Sequence, residues 1–466
     1  MKRGGTRSYC AVILSSSYSA KEKEFLHMNI SSASYMLITT VAVLIALAAH
    51  SASAAAASSI SVDNVVVTGR SAVVPDPINA SWNALAFDFN GVSLNATVSS
   101  SASIQRIQVG LTTACYQLSN GSWSKTSHAG HRFRLYTSPV GDSGAWTAPA
   151  GNVLVDTHDA ACNQLQWFDL FEGSMTAPVQ FSLFHLTEAD WNAWNATQPN
   201  FILFHEFRVY SGQQEAATVS KAELTHTFRV GQSIIRRSSQ DRRRRIEFIG
   251  DSITAGYCNT CNLFPNASNT YAQEDFSLSW ARLTCGLLNA DCHTEAWSGR
   301  GVIRNCDDSA PIWMPTIVRR AVGSVSEFDN FWGVENTWDL SSFVPDALVV
   351  NLGTNDYGCH PIPNITQFNA EFEQAYVGML TDLLVGYHNA TQGVFIACGP
   401  MSSAYCDAVH SIIAKMHQLG YPGVYFLNHV GLLPQSEQCC GHPDTVADGT
   451  IAGVTVSTIR STLGWV

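Results

Sequence analysis

Charge is what this chain is short of, and positive charge most of all. Asp, Glu, Lys and Arg together make up 14% of its 466 residues, and 26 basic against 37 acidic side chains leave a formal net charge of −11. A surface of that balance has no phosphate-neutralising face, which excludes nucleic acid as the main partner. The single basic run, RRSSQDRRRR at 236–245, reads as a solvated linker in so acidic a chain. Also missing is an apolar run long enough for a membrane span, which takes about 20 residues. The stretch from Met36 to Ala49, MLITTVAVLIALAA, is shorter, and the small residues SASAAAASS follow it, with cleavage points near Ala52 to Ala56. That layout predicts a secretory signal peptide, with translation starting at Met28 or Met36; the alternative is a retained type II membrane anchor. Two catalytic motifs are absent as well. FHEFRVY at 204–210 only begins like the HExxH zinc motif and has the pattern of a strand, and no GxSxG elbow occurs. No metal or other cofactor is expected.

Cysteine is plentiful. Twelve of the 13 follow the apolar run, at Cys115, Cys162, Cys258, Cys261, Cys285, Cys292, Cys306, Cys359, Cys398, Cys406, Cys439 and Cys440. An even number in an exported chain predicts disulfides, and Cys115 with Cys162 is the natural pair, since they stand alone in the first half. CNTC at 258–261 reads as disulfide cysteine rather than half a zinc site, which would need two more thiol or imidazole ligands at suitable spacing, because the chain reads as exported. Sequons for N-glycosylation begin at Asn79, Asn95, Asn120, Asn195, Asn266, Asn364 and Asn389, which again points to export. No stable membrane association is expected once the signal is cleaved, and the oligomeric state stays open.

The chain changes character near residue 236. After a leader at 1–56, residues 57–235 carry short alternating apolar runs such as ALAFDFNGVSLNATV (85–99), HRFRLY (131–136), VQFSLFHL (179–186) and FILFHEFRVY (201–210), and no convincing amphipathic helix. Period-2 alternation at this spacing predicts an antiparallel sandwich. The basic linker 236–245 follows, and 246–466 alternates buried strands with helices. Strands are expected at 246–250, 346–353, 393–399 and 424–429, and helices at 276–288, 367–388 and 404–420. Such alternation predicts a parallel sheet covered on both faces, with its active site at the carboxyl ends of the strands.

Polar residues stand where those strands end. IEFIGDSITAGY (246–257) runs a buried strand into Ser252 at a helix start, where backbone N–H groups favour developing negative charge; the structural alternative is a plain N-cap. VVNLGTNDYG (349–358) ends in the polar pair Asn355 and Asp356, which would equally suit an Asx turn. CCGHPD (439–444) puts His442 in a Gly/Pro loop, an ordinary place for a surface histidine when taken alone.

Taken together, GDSIT, GTND and a late loop histidine resemble the blocks of the SGNH (GDSL) hydrolase superfamily, with WSGRGVIRN (297–305) similar to its second block. IEFIGDSITAGY, SWARLT, AWSGRGVIRN, MPTIVRR and PDALVVNLGTNDYG resemble carbohydrate esterase family 2 more narrowly. The resemblance covers most of residues 80–460. It implies an SGNH-type three-layer α/β/α parallel sheet preceded by a small, jelly-roll-like antiparallel β-sandwich. It implies Ser252 as nucleophile, His442 as base, Asn355 as oxyanion donor, and Gly301 as the block-two glycine with Gly299 as the alternative. One departure stands out: many superfamily members carry Asp three residues before the histidine, where this chain has Cys439. A Ser–His dyad oriented by a backbone carbonyl, or a contribution from Asp444, are the options, with Cys439 and Cys440 in disulfides that rigidify the loop.

The function implied is a secreted serine esterase that removes O-acetyl groups from xylan- or glucomannan-type polysaccharides. An SGNH lipase or general acyl esterase, and a non-catalytic carbohydrate-binding protein, are the competing readings. Trp280, Trp297, Trp313, Trp332 and Trp338 all lie in the second half, as candidates either for sugar stacking or for the core.

Overall fold

In the computed structural model the residues described are 57–76, 82–99, 103–114, 116–117, 123–124, 130–139, 147–188, 201–211, 218–220, 243–265, 270–307, 312–325 and 335–465. The leader 1–56, the basic segment up to 242, Trp332 and four sequon asparagines (Asn79, Asn120, Asn195 and Asn266) lie outside them. Among the described residues no helix is long and apolar enough to cross a membrane.

The first half folds as two antiparallel sheets facing each other. One has the order Gln166–Met175, Ile104–Thr113, Ile202–Ser211, Asn83–Phe87, Ala72–Pro75, with Ala57–Ser61 also on Ile202–Ser211; the other runs Val155–Asp156, Arg132–Pro139, Val179–His185, Ser93–Ser99, Thr218–Ser220, with Val66–Thr68 also on Ser93–Ser99. The alternation legible in the sequence becomes the inward face: Leu94, Ala96 and Val98 meet Ile107, Val109, Leu111, Phe181 and Leu183 in one core. Cys162 is disulfide-bonded, and its expected partner Cys115 lies outside the described residues. Asn95, one of the sequon asparagines, is buried in this sandwich with its amide on the Val66 carbonyl at 3.1 Å, so it presents no glycan acceptor; Asn364 and Asn389 are exposed.

The second half is a five-stranded, wholly parallel sheet. Its strands are β1 (Arg245–Gly250), β2 (Asp291–Ala296), β3 (Ala347–Asn351), β4 (Gly393–Cys398) and β5 (Val424–Asn428), in the order β2-β1-β3-β4-β5. The helices, in chain order, are α1 (Ser252–Ala255), α2 (Trp280–Leu287), α3 (Met314–Ile317), α4 (Thr354–Gly358), α5 (Ile365–Gly386), α6 (Cys406–Gln418) and α7 (Thr445–Leu463). Ile246, Phe248, Val349 and Phe395 pack under α2 and α7 with Trp280, Ile451 and Ile459, whereas Ile249, Leu348, Val350 and Ile396 pack under α5 and α6 with Phe372, Leu380 and Ile412. Helices therefore cover both faces, as the unbroken apolar strands require. The strand order reverses between β1 and β3, and the crevice at that switch point is where doubly wound sheets place ligands. Ser252 follows β1 and Asn355 follows β3.

The sandwich and the sheet share one core, since the cluster that fills the sandwich continues through Trp297, Val302, Met314 and Ile317 into the α5 face. Polar ties cross the same junction. Asp88 accepts from the Gly323 and Ser324 N–H groups at 2.8 and 2.7 Å, and the amide of Asn90 donates to the Ala255 carbonyl of α1 at 3.2 Å. Glu188 accepts from the Ser298 N–H.

Candidate active site

β1 delivers the chain to a single helical turn. Asp251 caps it, its carboxylate accepting from the Ile253 N–H at 3.0 Å, so Ser252 is the first helical residue and not the cap. The Ser252 N–H has no intrahelical partner by position, and among the described residues it makes no hydrogen bond. Ser252 is buried in the switch-point crevice with its Oγ 2.8 Å from Nε2 of His442.

His442 stands at one end of a two-residue hairpin, Gln438–Cys439 paired with His442–Pro443. Its Nδ1 lies 3.1 Å from the backbone carbonyl of Cys440. A carbonyl can only accept, so the proton sits on Nδ1 and Nε2 is left to accept from the Ser252 hydroxyl. Burial pulls the imidazole below its ordinary pKa, and the Cys440 carbonyl opposes this by bonding the charged form. The ring is neutral at pH 7 and fit to act as a base. Tyr257 packs against it with ring centroids 4.9 Å apart.

Among the described residues no carboxylate completes a triad. Asp444 caps α7 instead, accepting from the Val446 and Ala447 N–H groups at 2.9 and 3.0 Å and from Asn262 at 2.9 Å. His429, the other histidine late in the chain, is a core residue. Its Nε2 meets Thr455 Oγ1 at 2.9 Å, its ring packs edge-on against Trp280, and burial pushes it down to about 3.

The second block forms a tight loop around a buried carboxylate. Asp356, in α4, accepts from the N–H groups of Val302, Ile303 and Arg304 at 2.9 to 3.1 Å. The N–H of Gly301, the expected block-two glycine, is committed within the protein: it donates to Asn305 Oδ1 at 3.0 Å. Gly301 is glycine for another reason, because a β-carbon there would sit 2.0 Å from the Arg304 carbonyl and 2.6 Å from Asp356 Oδ2. Gly299 differs on each count. It has φ +75°, room for a β-carbon in ordinary contact with Cys306 Cβ at 3.9 Å, and an N–H that makes no hydrogen bond among the described residues.

Asn355 is buried, with its amide donating to the Arg300 carbonyl at 2.7 Å and to Asp251 Oδ2 at 3.2 Å. It would serve an oxyanion by exchanging one of these partners. Burial raises Asp251 to about 7; the Ile253 N–H opposes this and Asp356 adds to it.

Both cysteines of the CNTC turn are in disulfides, Cys258–Cys440 and Cys261–Cys439, which ties the histidine hairpin to the turn after the nucleophile and leaves no thiolate for zinc. Cys306–Cys359 joins the second block to the end of α4. Of the tryptophans, Trp280 and Trp297 are core, and Trp338 is half-buried under the guanidinium of Arg70. Trp313 is 43% exposed, and its neighbour Met314 donates to the Gly301 carbonyl at 3.0 Å. Sequence reasoning allowed for a backbone carbonyl orienting the imidazole but did not name that of Cys440, and it did not anticipate the ring of Tyr257 or Asn90 and Glu188 from the sandwich. Of these, only the Cys-Cys-Gly-His run carried a signal.

No family model matches the chain. Curated relatives do. The cellulase/esterase CelE of Acetivibrio thermocellus is 30% identical over 234 residues, which is 48% of this chain and 26% of that protein. An acetylxylan esterase / glucomannan deacetylase of Cellvibrio japonicus is 24% identical over 234 residues, 48% of this chain and 61% of that one. The chain thus matches less than two thirds of the length of either. A solved family two carbohydrate esterase from Cellvibrio japonicus superposes with a TM-score of 0.61 at 18% identity, covering 88% of this chain and 98% of that one. That likeness is one of fold, and the fold is the one expected: a small β-sandwich followed by a parallel α/β domain.

Proposed function

Taking the chain as an SGNH-type relative of the family two carbohydrate esterases, we propose that it is an exported serine esterase that removes O-acetyl groups from xylan- or glucomannan-type polysaccharides. The observation that carries the reading is the 2.8 Å contact between Ser252 Oγ and a His442 whose tautomer is set by a backbone carbonyl. A serine hydroxyl is a weak nucleophile until an adjacent base takes its proton. Nε2 accepts that proton as Oγ attacks the acetyl carbonyl. The tetrahedral oxyanion is held by the Ser252 and Gly299 N–H groups, with Asn355 as a third donor once it turns from Arg300 or Asp251. Each such donor is worth roughly 3–4 kcal/mol in comparable sites. The imidazolium returns its proton to the departing sugar hydroxyl. Water then attacks the acetyl-enzyme with His442 again as base, releasing acetate and restoring the serine. Five described disulfides and the predicted signal peptide support export.

The test is acetate release from acetylated xylan and glucomannan by secreted protein, beside Ser252→Ala. Wild type should release acetate and the variant should not. If wild type leaves both polymers and p-nitrophenyl acetate intact, the chain is no esterase and the carbohydrate-binding reading takes its place. One observation favours a general acyl esterase: Leu263 and Phe264, 60% and 48% exposed, lie two and three residues after Cys261, which is bonded to the histidine hairpin. Faster hydrolysis of long-chain than of acetyl esters would choose that reading.

A further inference from the structure

An imidazole that acts as a base has to be held, and among the described residues no acidic group holds it. The group that does, the carbonyl of Cys440, lies at the tip of the hairpin, where both tip residues take positive φ: +52° at Cys440 and +78° at Gly441. Two-residue hairpins of this pattern select Asn-Gly or Asp-Gly. Cysteine has no local reason to occupy the first position, since its β-carbon crowds the following carbonyl there. Its side chain supplies the reason, because it is bonded to Cys258, which also has positive φ at +60°. From Ser252 to Cys258 the chain makes one helical turn, Gly256, and Tyr257, whose ring lies against His442. The disulfide therefore gives a short covalent path from the nucleophile, through Cys258 and Cys440, to the base, and their 2.8 Å hydrogen bond closes the ring. Cys261–Cys439 fixes the preceding hairpin residue to the same turn.

We propose that the Cys258–Cys440 disulfide is a positioning element of the Ser252–His442 pair: it aims the carbonyl that fixes the imidazole, so the pair is competent only in the oxidised chain. This rests on the esterase reading. The two disulfides divide the task, Cys261–Cys439 placing the hairpin and Cys258–Cys440 setting the direction of its tip.

The test compares Cys258→Ala/Cys440→Asn, which keeps a residue at ease with positive φ and removes the tether, with Cys261→Ala/Cys439→Ala, in secreted, non-reduced protein with p-nitrophenyl acetate. The first should lose about tenfold to a hundredfold in kcat at unchanged KM, the scale of a small misplacement of catalytic groups. The acid limb of its pH profile should move towards the ordinary imidazole value as the ring loosens into water. An unchanged kcat and pH profile in a folded first variant would overturn the proposal. If that variant does not fold, graded reduction of wild type with dithiothreitol decides. Activity lost while the near-UV dichroism persists supports the tether, and activity that survives until the tertiary signal collapses overturns it. A wild type inert to every ester overturns the esterase reading itself, whereas an active wild type with an indifferent first variant overturns the tether alone.

Discussion

At the scale of single residues, Asp444 and His442 separate a dyad from a triad. Asp444 is two residues from the base and was a candidate for its missing carboxylate, yet both its oxygens are spent, one on the first turn of α7 and one on Asn262. Asp444→Ala should therefore cost about 1 kcal/mol of stability, the usual loss of an N-cap, and leave kcat on p-nitrophenyl acetate within about twofold, well short of what losing a catalytic group would cost. A fall in kcat of several orders with stability intact would instead make Asp444 the orienting acid. His442 gives a second prediction. Burial is the larger influence on it and lowers its pKa, and the base must be neutral to accept the serine proton. The acid limb of kcat/KM should accordingly fall below the ordinary imidazole value of about 6.5, so activity persists into mildly acidic solution. A limb at or above that value would mean that a charged neighbour outweighs burial.

The block-two loop shows, at the scale of one element, how two glycines two residues apart differ. Gly301 has no room for a β-carbon, whereas Gly299 has room but a left-handed backbone. Gly301→Ala should fold poorly, read as loss of secreted protein or a large drop in Tm. Gly299→Ala should cost only about 1–2 kcal/mol from its positive φ but lower kcat, because its N–H faces no protein acceptor and any shift of it is felt by the oxyanion. Equal kcat for Gly299→Ala and wild type would remove Gly299 from the oxyanion hole. Sequence pattern could name this loop but could not choose between its glycines, because backbone N–H partners leave no trace in residue type. Elements show the same limit. β1, β3, β4 and β5 were legible as apolar runs and α5 and α6 as periodic ones. β2 escaped because DCHTEA is polar: His293 stacks on Phe343 and Glu295 pairs with Arg70, contacts that only the folded chain creates. α7 escaped because its Thr, Val and Gly residues are poor helix formers, and the burial of Ile451, Ala452, Val456 and Ile459 against α2 overrides propensity.

For the whole molecule, the question is what the sandwich does for the sheet, and Arg70 gives the clearest handle. It comes from the sandwich side, is fully buried, and pairs with Glu247 of β1 at 2.7 Å and Glu295 of β2 at 2.8 Å, while the Tyr387 hydroxyl donates to Glu247. Glu247, His293 and Glu295 offer ligand-type atoms within 4.8 Å of one another, and the guanidinium is the positive charge that this acidic cluster holds. Burial holds Glu295 well above the usual carboxylate range, with Arg70 opposing it and Glu247 adding to it. Removing one partner from such a cluster strands the others, at about 3–5 kcal/mol. Arg70→Met keeps most of the volume and deletes the charge, so its loss of unfolding free energy, measured with denaturant under non-reducing conditions, should fall in that range. The sign with pH follows. A carboxyl whose folded pKa is raised loses stability as pH climbs from its unfolded value through its folded one. Without Arg70 the Glu295 carboxyl rises further, so the deficit should be greatest in neutral and alkaline solution and shrink towards pH 4.5, the ordinary value of Glu295. β1 leads directly into Ser252, and Asn90 and Glu188 hold α1 and the second block from the same side. Arg70→Met should therefore lower kcat along with stability, as expected of a sandwich that buttresses the site. A variant that loses the stability and keeps kcat would make the sandwich a neighbour of the esterase domain rather than part of its frame.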